Sequence, residues 1–176
     1  MIKFESKLVR IKKWVIVKLP ESASLLLPSR GQVSVKGTIN GRNLEKVLEP
    51  DGRWGHWFKL DDELQKELGI EIGDSVSVEI EPSKLWPEPD LPSDFSKALS
   101  SAPKEVKELW AKITPMARWE WIRWVNATGV METRERRIDV SISKLQSGKR
   151  RPCCFNLASC TDPELSKNSV LIEADK

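Results

Sequence analysis

The chain has 176 residues, of which 39% are hydrophobic and 31% charged, and a formal net charge of +3, as expected for a globular protein of one or two compact units. No apolar run approaches the roughly 20 residues that a membrane-spanning helix needs, so we expect no membrane partner. The N-terminal stretch MIKFESKLVRIKK alternates charged and apolar residues, unlike a secretory signal, and predicts a cytoplasmic protein with reduced thiols.

The first strand signals lie in the N-terminal third of the chain. WVIVKLP (14–20) is rich in strand-forming side chains and ends at a proline. Residues 33–39 alternate apolar and polar side chains, which predicts a strand with one buried face. Asn40-Gly41 follows, and this pair is preferred in a two-residue type I′ hairpin because both central residues need a positive φ.

The order of the predicted elements indicates a small closed β-barrel over residues 1–82. Asp51-Gly52 predicts a turn into a third strand, RWGHWFKL. Asp61 or Asp62 begins a short helix that Gly69 ends, and an alternating strand follows. Strands connected by hairpins and one short helix are typical of a barrel.

A proline-rich segment separates this region from a helical one. Four prolines between 82 and 92 predict a stiff linker over 83–92. Residues 93–150 have helical apolar spacing. A capping Ser or Asp begins the first helix, Pro103 begins the second, and Thr114 with Pro115 begins the third. The fold class is therefore α+β, with an N-terminal barrel, a C-terminal helical bundle, and residues 151–176 as a cysteine-containing tail that packs on the body.

The last predicted helix contains an inward-facing arginine. Its apolar stripe consists of Met131, Ile138, Ile142 and Leu145. Arg134 falls on this stripe, so its guanidinium must meet a carboxylate, carbonyls or an anionic ligand. Glu120 is the candidate protein partner and a bound anion is the alternative, while Arg136 and Arg137 point toward solvent or a groove.

Positive charge is concentrated near this helix. Residues 134–151 contain seven basic and two acidic residues, which favours an anionic partner over a neutral one. The leading hypothesis is an anionic small molecule or an acidic protein surface, the second is nucleic acid, and a merely solvated basic face is the alternative to both. The basic patch consists of Arg136, Lys149, Arg150 and Arg151. The candidate ligand-binding residues are Arg134, Arg137, Arg123, Glu120, Trp121, Trp124, Trp54 and His56.

Two of these candidates lie in the third predicted strand. Alternation places Trp54, His56 and Phe58 on one face, where they would line a pocket that stacks a flat ligand. The alternative is a partly buried histidine in a strand face, since a lone histidine offers no catalytic pair.

All three cysteines lie in GKRRPCCFNLASC (148–160). Cys153, Cys154 and Cys160 are interpreted first as apolar anchors of the tail. A thiolate favoured by the neighbouring arginines would instead allow redox chemistry. A zinc site would need a fourth ligand besides the three cysteines, and His56 is the sole histidine that could provide it. We therefore expect no metal and no cofactor. Phosphate-loop, GxSxG and HExxH motifs are absent from the sequence, which favours a non-enzymatic protein.

The stretch WIRWVNATGVMETRERRIDVSISKLQSGKRR resembles the YdeI/OmpD-associated family, often labelled bacteriocin-protection proteins. The matching positions are Trp124, Glu132-Thr133-Arg134, Arg136-Arg137-Ile138, Leu145, Gly148 and Lys149. Many members have a proline before the glutamate, where this chain has Met131. The resemblance implies a stress- or bacteriocin-protection role and provides no established activity.

The first half is similar to the domain of unknown function 1905, which commonly precedes that helical region. The similar segments are GTING, WGHW and GIEIGDSVSVEIE. The last of them is also similar to strands of AbrB-like regulators. This implies a split-barrel fold, which in those relatives binds DNA.

Overall fold

A computed structural model describes residues 1–152 and 156–175, which fall into two compact units. The sheet unit comprises Met1–Leu85, Leu157–Cys160 and Leu165–Lys176, and the helical unit comprises Trp86–Asn156 and Thr161–Glu164. Cys153 and Cys154 lie outside the described residues.

The sheet unit is built on one seven-stranded antiparallel sheet. Its strands are β1 (Ile2–Lys7), β2 (Val9–Ile11), β3 (Trp14–Lys18), β4 (Val33–Ile39), β5 (Arg42–Pro50), β6 (His56–Lys59) and β7 (Ser75–Pro82). They pair in the order β1-β7-β4-β5-β6-β3-β2. Two short helices, α1 (Glu21–Ser24) and α2 (Asp62–Leu68), and a small pair of strands, β8 (Ser166–Lys167) and β9 (Val170–Leu171), complete the unit.

The sheet curls into a half-barrel around an apolar core, so the strand-rich α+β prediction is confirmed at this level. Asn40 and Gly41 have φ values of 46° and 80°, and Ile39 pairs with Arg42, as a two-residue type I′ hairpin requires. Gly69 ends α2 in the left-handed conformation, as predicted. Side chains from six strands form the core, among them Val17, Ile39, Leu48, Phe58, Val76, Val78 and Ile80.

A second, smaller apolar cluster lies within the same unit. Trp57 is buried in it with Cys160, and its indole donates a hydrogen bond to the Pro50 carbonyl at 3.1 Å. The other buried members are Ile11, Ile16, Leu165 and Leu171. The Leu171 amide donates to the Asp51 carbonyl at 2.9 Å, which ties the C-terminal segment to the strands. Leu165 and Leu171 of the C-terminal segment therefore contribute to the interior of the sheet unit.

The helical unit contains α3 (Ser93–Ser100), α4 (Lys104–Lys112), α5 (Pro115–Asn126) and α6 (Met131–Gln146). Helix α6 contacts the other three helices. The hydroxyl of Thr114 accepts a hydrogen bond from the Ala117 amide, and Pro115 takes the first turn, as predicted. The buried core includes Phe95, Leu99, Val106, Ile113, Trp121, Val125, Ile138 and Leu145. No described helix combines the length and hydropathy needed to cross a bilayer.

Two sequence predictions about helix ends are wrong. Helix α3 begins at Ser93 behind Pro92, which occupies the cap position without a side-chain cap, so no Ser or Asp caps it. Met131 is 65% exposed instead of belonging to the buried stripe. It is the first residue of α6, and the buried positions of this helix begin only at Ile138.

Gly37 allows β4 and β7 to approach closely, which makes it a test of the sheet. A Cβ at Gly37 would lie 1.9 Å from the Glu79 carbonyl oxygen, whereas one at Gly129 would meet nothing closer than 3.9 Å. We expect Gly37→Ala to lower the free energy of unfolding by about 2–4 kcal/mol, measured by urea denaturation, because backbone atoms must shift. Gly129→Ala is the control and should change it little; equal effects would contradict this packing.

Candidate functional site

Arg134 is held by side chains of two other helices. Its Nε donates to Asp94 Oδ2 at 2.6 Å and one terminal nitrogen donates to Asp94 Oδ1 at 3.0 Å. The other terminal nitrogen donates to Asn126 Oδ1 at 2.7 Å. The side chain is only 19% exposed, and the hydrogen bonds from Arg134 lower the pKa of the Asp94 carboxyl below its usual value. The inward orientation predicted from helical periodicity is confirmed, with Asp94 as the partner.

Glu120, predicted as the partner of Arg134, instead binds Arg151. Glu120 is buried, and its Oε1 accepts a hydrogen bond from Arg151 at 2.6 Å. Its neighbour Trp121 is fully buried and donates its indole hydrogen to the Arg150 carbonyl at 2.9 Å. Both residues of α5 therefore hold the segment that follows α6. Trp121 is a core residue and does not line an open groove.

Arg123 is also buried in the helical unit. It is 6% exposed, and its Nε donates to the Thr161 hydroxyl at 3.1 Å. A charge this far from solvent is held by internal contacts. The candidates Arg123, Glu120, Trp121 and Arg134 are thus engaged within the unit, although the sequence grouped them around a ligand.

Trp124 lies beside two cations of α6. The Arg137 guanidinium carbon and the Lys144 ammonium each lie 5.5 Å from the centre of its ring, within the range of cation–π attraction. Arg137 also donates a hydrogen bond to the Trp124 carbonyl at 2.9 Å. The two cations are seven residues apart, which places them on one face of the helix. We call Trp124, Arg137 and Lys144 the Trp124 cluster.

Among the residues that the structure describes, no carboxylate pairs with the charges of the Trp124 cluster. Within the described residues, neither Arg137 nor Lys144 forms a salt bridge. The other arginines of this helix do, because Arg134 pairs with Asp94 and Arg136 pairs with Glu132 at 3.7 Å. All three members of the cluster are half-buried, so the charge lies against an aromatic surface. Such an arrangement attracts an anion and offers it a flat apolar contact.

Trp54 and His56 do not share a face. Strand β6 begins at His56, and Trp54 lies outside it with a φ of 71° and 70% exposure, so the predicted pocket of Trp54, His56 and Phe58 is wrong. His56 is buried, and its Nε2 donates to the Gly31 carbonyl at 2.9 Å. Its Nδ1 has no hydrogen-bond partner in the described part of the chain. Burial lowers the pKa of His56, which keeps the imidazole neutral.

Cys160 packs in the smaller cluster of the sheet unit and is 3% exposed. No group of three metal-binding side chains occurs among residues 1–152 and 156–175. Because Cys153 and Cys154 lie outside that range, the redox and zinc interpretations stay predictions.

Lys144, Asp94 and Asn126 were not identified from the sequence. Lys144 follows Arg137 by seven residues, and that spacing on a predicted helix was the available signal. Asp94 precedes Arg134 by 40 residues, and no local pattern connects them.

Comparison with known proteins finds two family matches that meet near the boundary at residues 85–86. Residues 4–80 match the family model described as DUF1905, a domain of unknown function. Residues 88–148 match the model described as "Bacteriocin-protection, YdeI or OmpD-Associated". A search of curated proteins found no match.

The Arg134–Asp94 pair should stabilise the helical unit measurably. In a double-mutant cycle with Arg134→Gln and Asp94→Asn, we expect a coupling of about 1–2 kcal/mol in urea unfolding, because the pair is bidentate and partly shielded from water. A control cycle with Arg136→Gln and Glu132→Gln should give less than about 0.5 kcal/mol, since that pair is exposed. Equal couplings would show that Arg134 is merely a surface charge.

His56 should make stability depend on pH. Its folded pKa lies below the unfolded value of 6.5, so the unfolded chain takes up the proton first as the pH falls. We expect the free energy of unfolding to fall below pH 6.5 with a slope of up to about 1.4 kcal/mol per pH unit. His56 is the sole histidine, so His56→Gln should flatten the curve between pH 6.5 and 5. An unchanged slope in the variant would refute this assignment.

Proposed function

Since its residues 88–148 place the chain in the YdeI/OmpD-associated family, behind a DUF1905 domain, we propose that the protein is a non-enzymatic binding module that holds an anion at the Trp124 cluster. A bacteriocin-protection role, suggested by the family's description, is part of the proposal, and a stress-protection role is its alternative. A cytoplasmic location is also part of the proposal.

The charge at the Trp124 cluster is the observation that carries the proposal. Two cations lie 5.5 Å from one indole ring and have no salt bridge in the described part of the chain. A carboxylate or phosphate beside them would replace the weak cation–π contacts with charge-assisted hydrogen bonds. The half-buried position reduces competition from water, so such bonds are worth more here than on an open surface.

We place the proposed site further along α6 than the sequence prediction did. Arg134 was the predicted centre, but its guanidinium already holds a carboxylate and an amide oxygen. An additional anion there would repel Asp94. Arg137, one turn further on, donates to one carbonyl and is the better hydrogen-bond donor for a bound anion.

A compact anion is favoured over a nucleic-acid backbone. Phosphate-backbone binding needs many unneutralised cations in a row. In the 134–151 patch, Arg134, Arg136 and Arg151 each pair with a carboxylate. Lys149 and Arg150 are exposed and support the nucleic-acid alternative, as does the sequence resemblance of GIEIGDSVSVEIE to strands of AbrB-like regulators.

Titration calorimetry with inorganic pyrophosphate tests the proposal. We expect saturable binding that Arg137→Gln and Lys144→Gln each weaken about three- to tenfold, because each removes one charge-assisted contact. Arg136→Gln is the matched control, since it removes the same charge from the same helix at an exposed position. It should weaken binding less than about twofold.

The same titration with a single-stranded oligonucleotide separates the alternatives. A steep fall of affinity with salt, with losses in Lys149→Gln and Arg150→Gln equal to those in Arg137→Gln, would establish nucleic-acid binding by the patch. Absence of binding by both ligands at low salt would remove both functions. Equal effects of Arg136→Gln and Arg137→Gln on pyrophosphate would show that only net charge matters.

A further inference from the structure

A groove of about 320 Å³ lies between α3 and α4. It shares no lining residue with the Trp124 cluster. The proline-rich segment provides Leu91, α3 provides Ser96, Leu99 and Ser100, and α4 provides Lys107 and Trp110. In α3 the lining residues follow Ser96 by three and four residues, and in α4 the two lining residues are three apart, so each helix presents one face to the groove. Its volume lies at the lower end of the range for small-molecule sites.

The wall that contains Leu91 is anchored to α5. Arg118 forms a salt bridge with Glu88, and the Trp119 indole donates to the Pro87 carbonyl at 2.7 Å. Trp86 also meets Trp119 edge-on at 6.3 Å. These contacts hold the irregular segment before α3 in place, although it contains no regular secondary structure.

The wall that contains Trp110 is fixed in two ways. Phe95 packs edge-on against the Trp110 ring at 5.4 Å. Arg118 donates to the Trp110 and Ala111 carbonyls, each at 3.0 Å, and so satisfies the end of α4. The indole therefore has a defined orientation before any ligand arrives.

The wall formed by α3 is held by the core of the helical unit and by a contact at the N-terminus of the helix. Leu99 is 6% exposed and belongs to the core of the helical unit. The Asp94–Arg134 pair ties the first turn of α3 to α6. All three walls are thus positioned by contacts made elsewhere, and preformed sites of this kind lose little entropy on binding.

The chemistry of the groove is apolar with one positive charge. Leu91, Leu99 and Trp110 provide the apolar surface, and the hydroxyl-bearing Ser96 and Ser100 line the same groove. Lys107 is exposed and forms no salt bridge within the described residues. We propose that this groove binds a small amphiphilic carboxylate, with its hydrocarbon part against the two leucines and Trp110 and its carboxylate at Lys107.

Octanoate is the probe, with octanol as its uncharged analogue. We expect titration calorimetry to show saturable octanoate binding and weaker octanol binding. Lys107→Gln should weaken octanoate binding about fivefold and leave octanol binding unchanged, because only the carboxylate meets the ammonium. Lys112→Gln removes the same charge from an exposed position of the same helix that does not line the groove, and should have no effect.

A second variant tests the apolar wall. Leu91→Asp should abolish binding of both probes, because it places a charge on the hydrocarbon surface and repels the carboxylate. Arg137→Gln should leave octanoate binding intact, which separates this groove from the Trp124 cluster. Octanoate binding that is absent, equal to octanol binding, or weakened equally by Lys107→Gln and Lys112→Gln would overturn the proposal. Should Leu91→Asp fail to fold, the Lys107 comparison decides alone.

Discussion

The bidentate contact between Arg134 and Asp94 is the constraint on which the arrangement of the helical unit depends. It links α6 to α3, and the further bond to Asn126 brings in α5. An inward guanidinium without these oxygen atoms would carry a large desolvation cost. Because the contact uses the charge of Arg134 inside the protein, the positive charge that remains available on α6 lies at Arg137 and Lys144.

This division of charge separates a structural role from the proposed binding role along one helix. Arg134 positions helices. Arg137 and Lys144, one and three turns further along, lie against the Trp124 ring and form no salt bridge in the described residues. The same contact supports the groove between α3 and α4, since α3 provides one wall of it. A change at Arg134 would therefore act on both proposed sites through packing, without touching either ligand.

Local features were predictable from the sequence and distant partners were not. The Asn40-Gly41 hairpin was predictable because these two residue types tolerate the consecutive positive φ angles that the turn needs, and the inward direction of Arg134 follows from helical periodicity. The identity of its partner depends on how α3 packs, 40 residues earlier in the chain. Trp54 was misplaced because its own left-handed backbone conformation interrupts the alternation before β6. Lys144 was missed because its role depends on contact with the Trp124 ring on α5, which the sequence does not reveal.

The most direct test is a ¹H–¹⁵N spectrum of indole and arginine Nε–H groups recorded during titration with pyrophosphate. We predict that the Trp124 indole and Arg137 Nε signals move together and saturate, whereas the Arg134 Nε signal stays in place because Asp94 already holds that hydrogen. Movement of the Arg134 signal with a stationary Trp124 indole would contradict the account, since it would mean that the anion displaces Asp94.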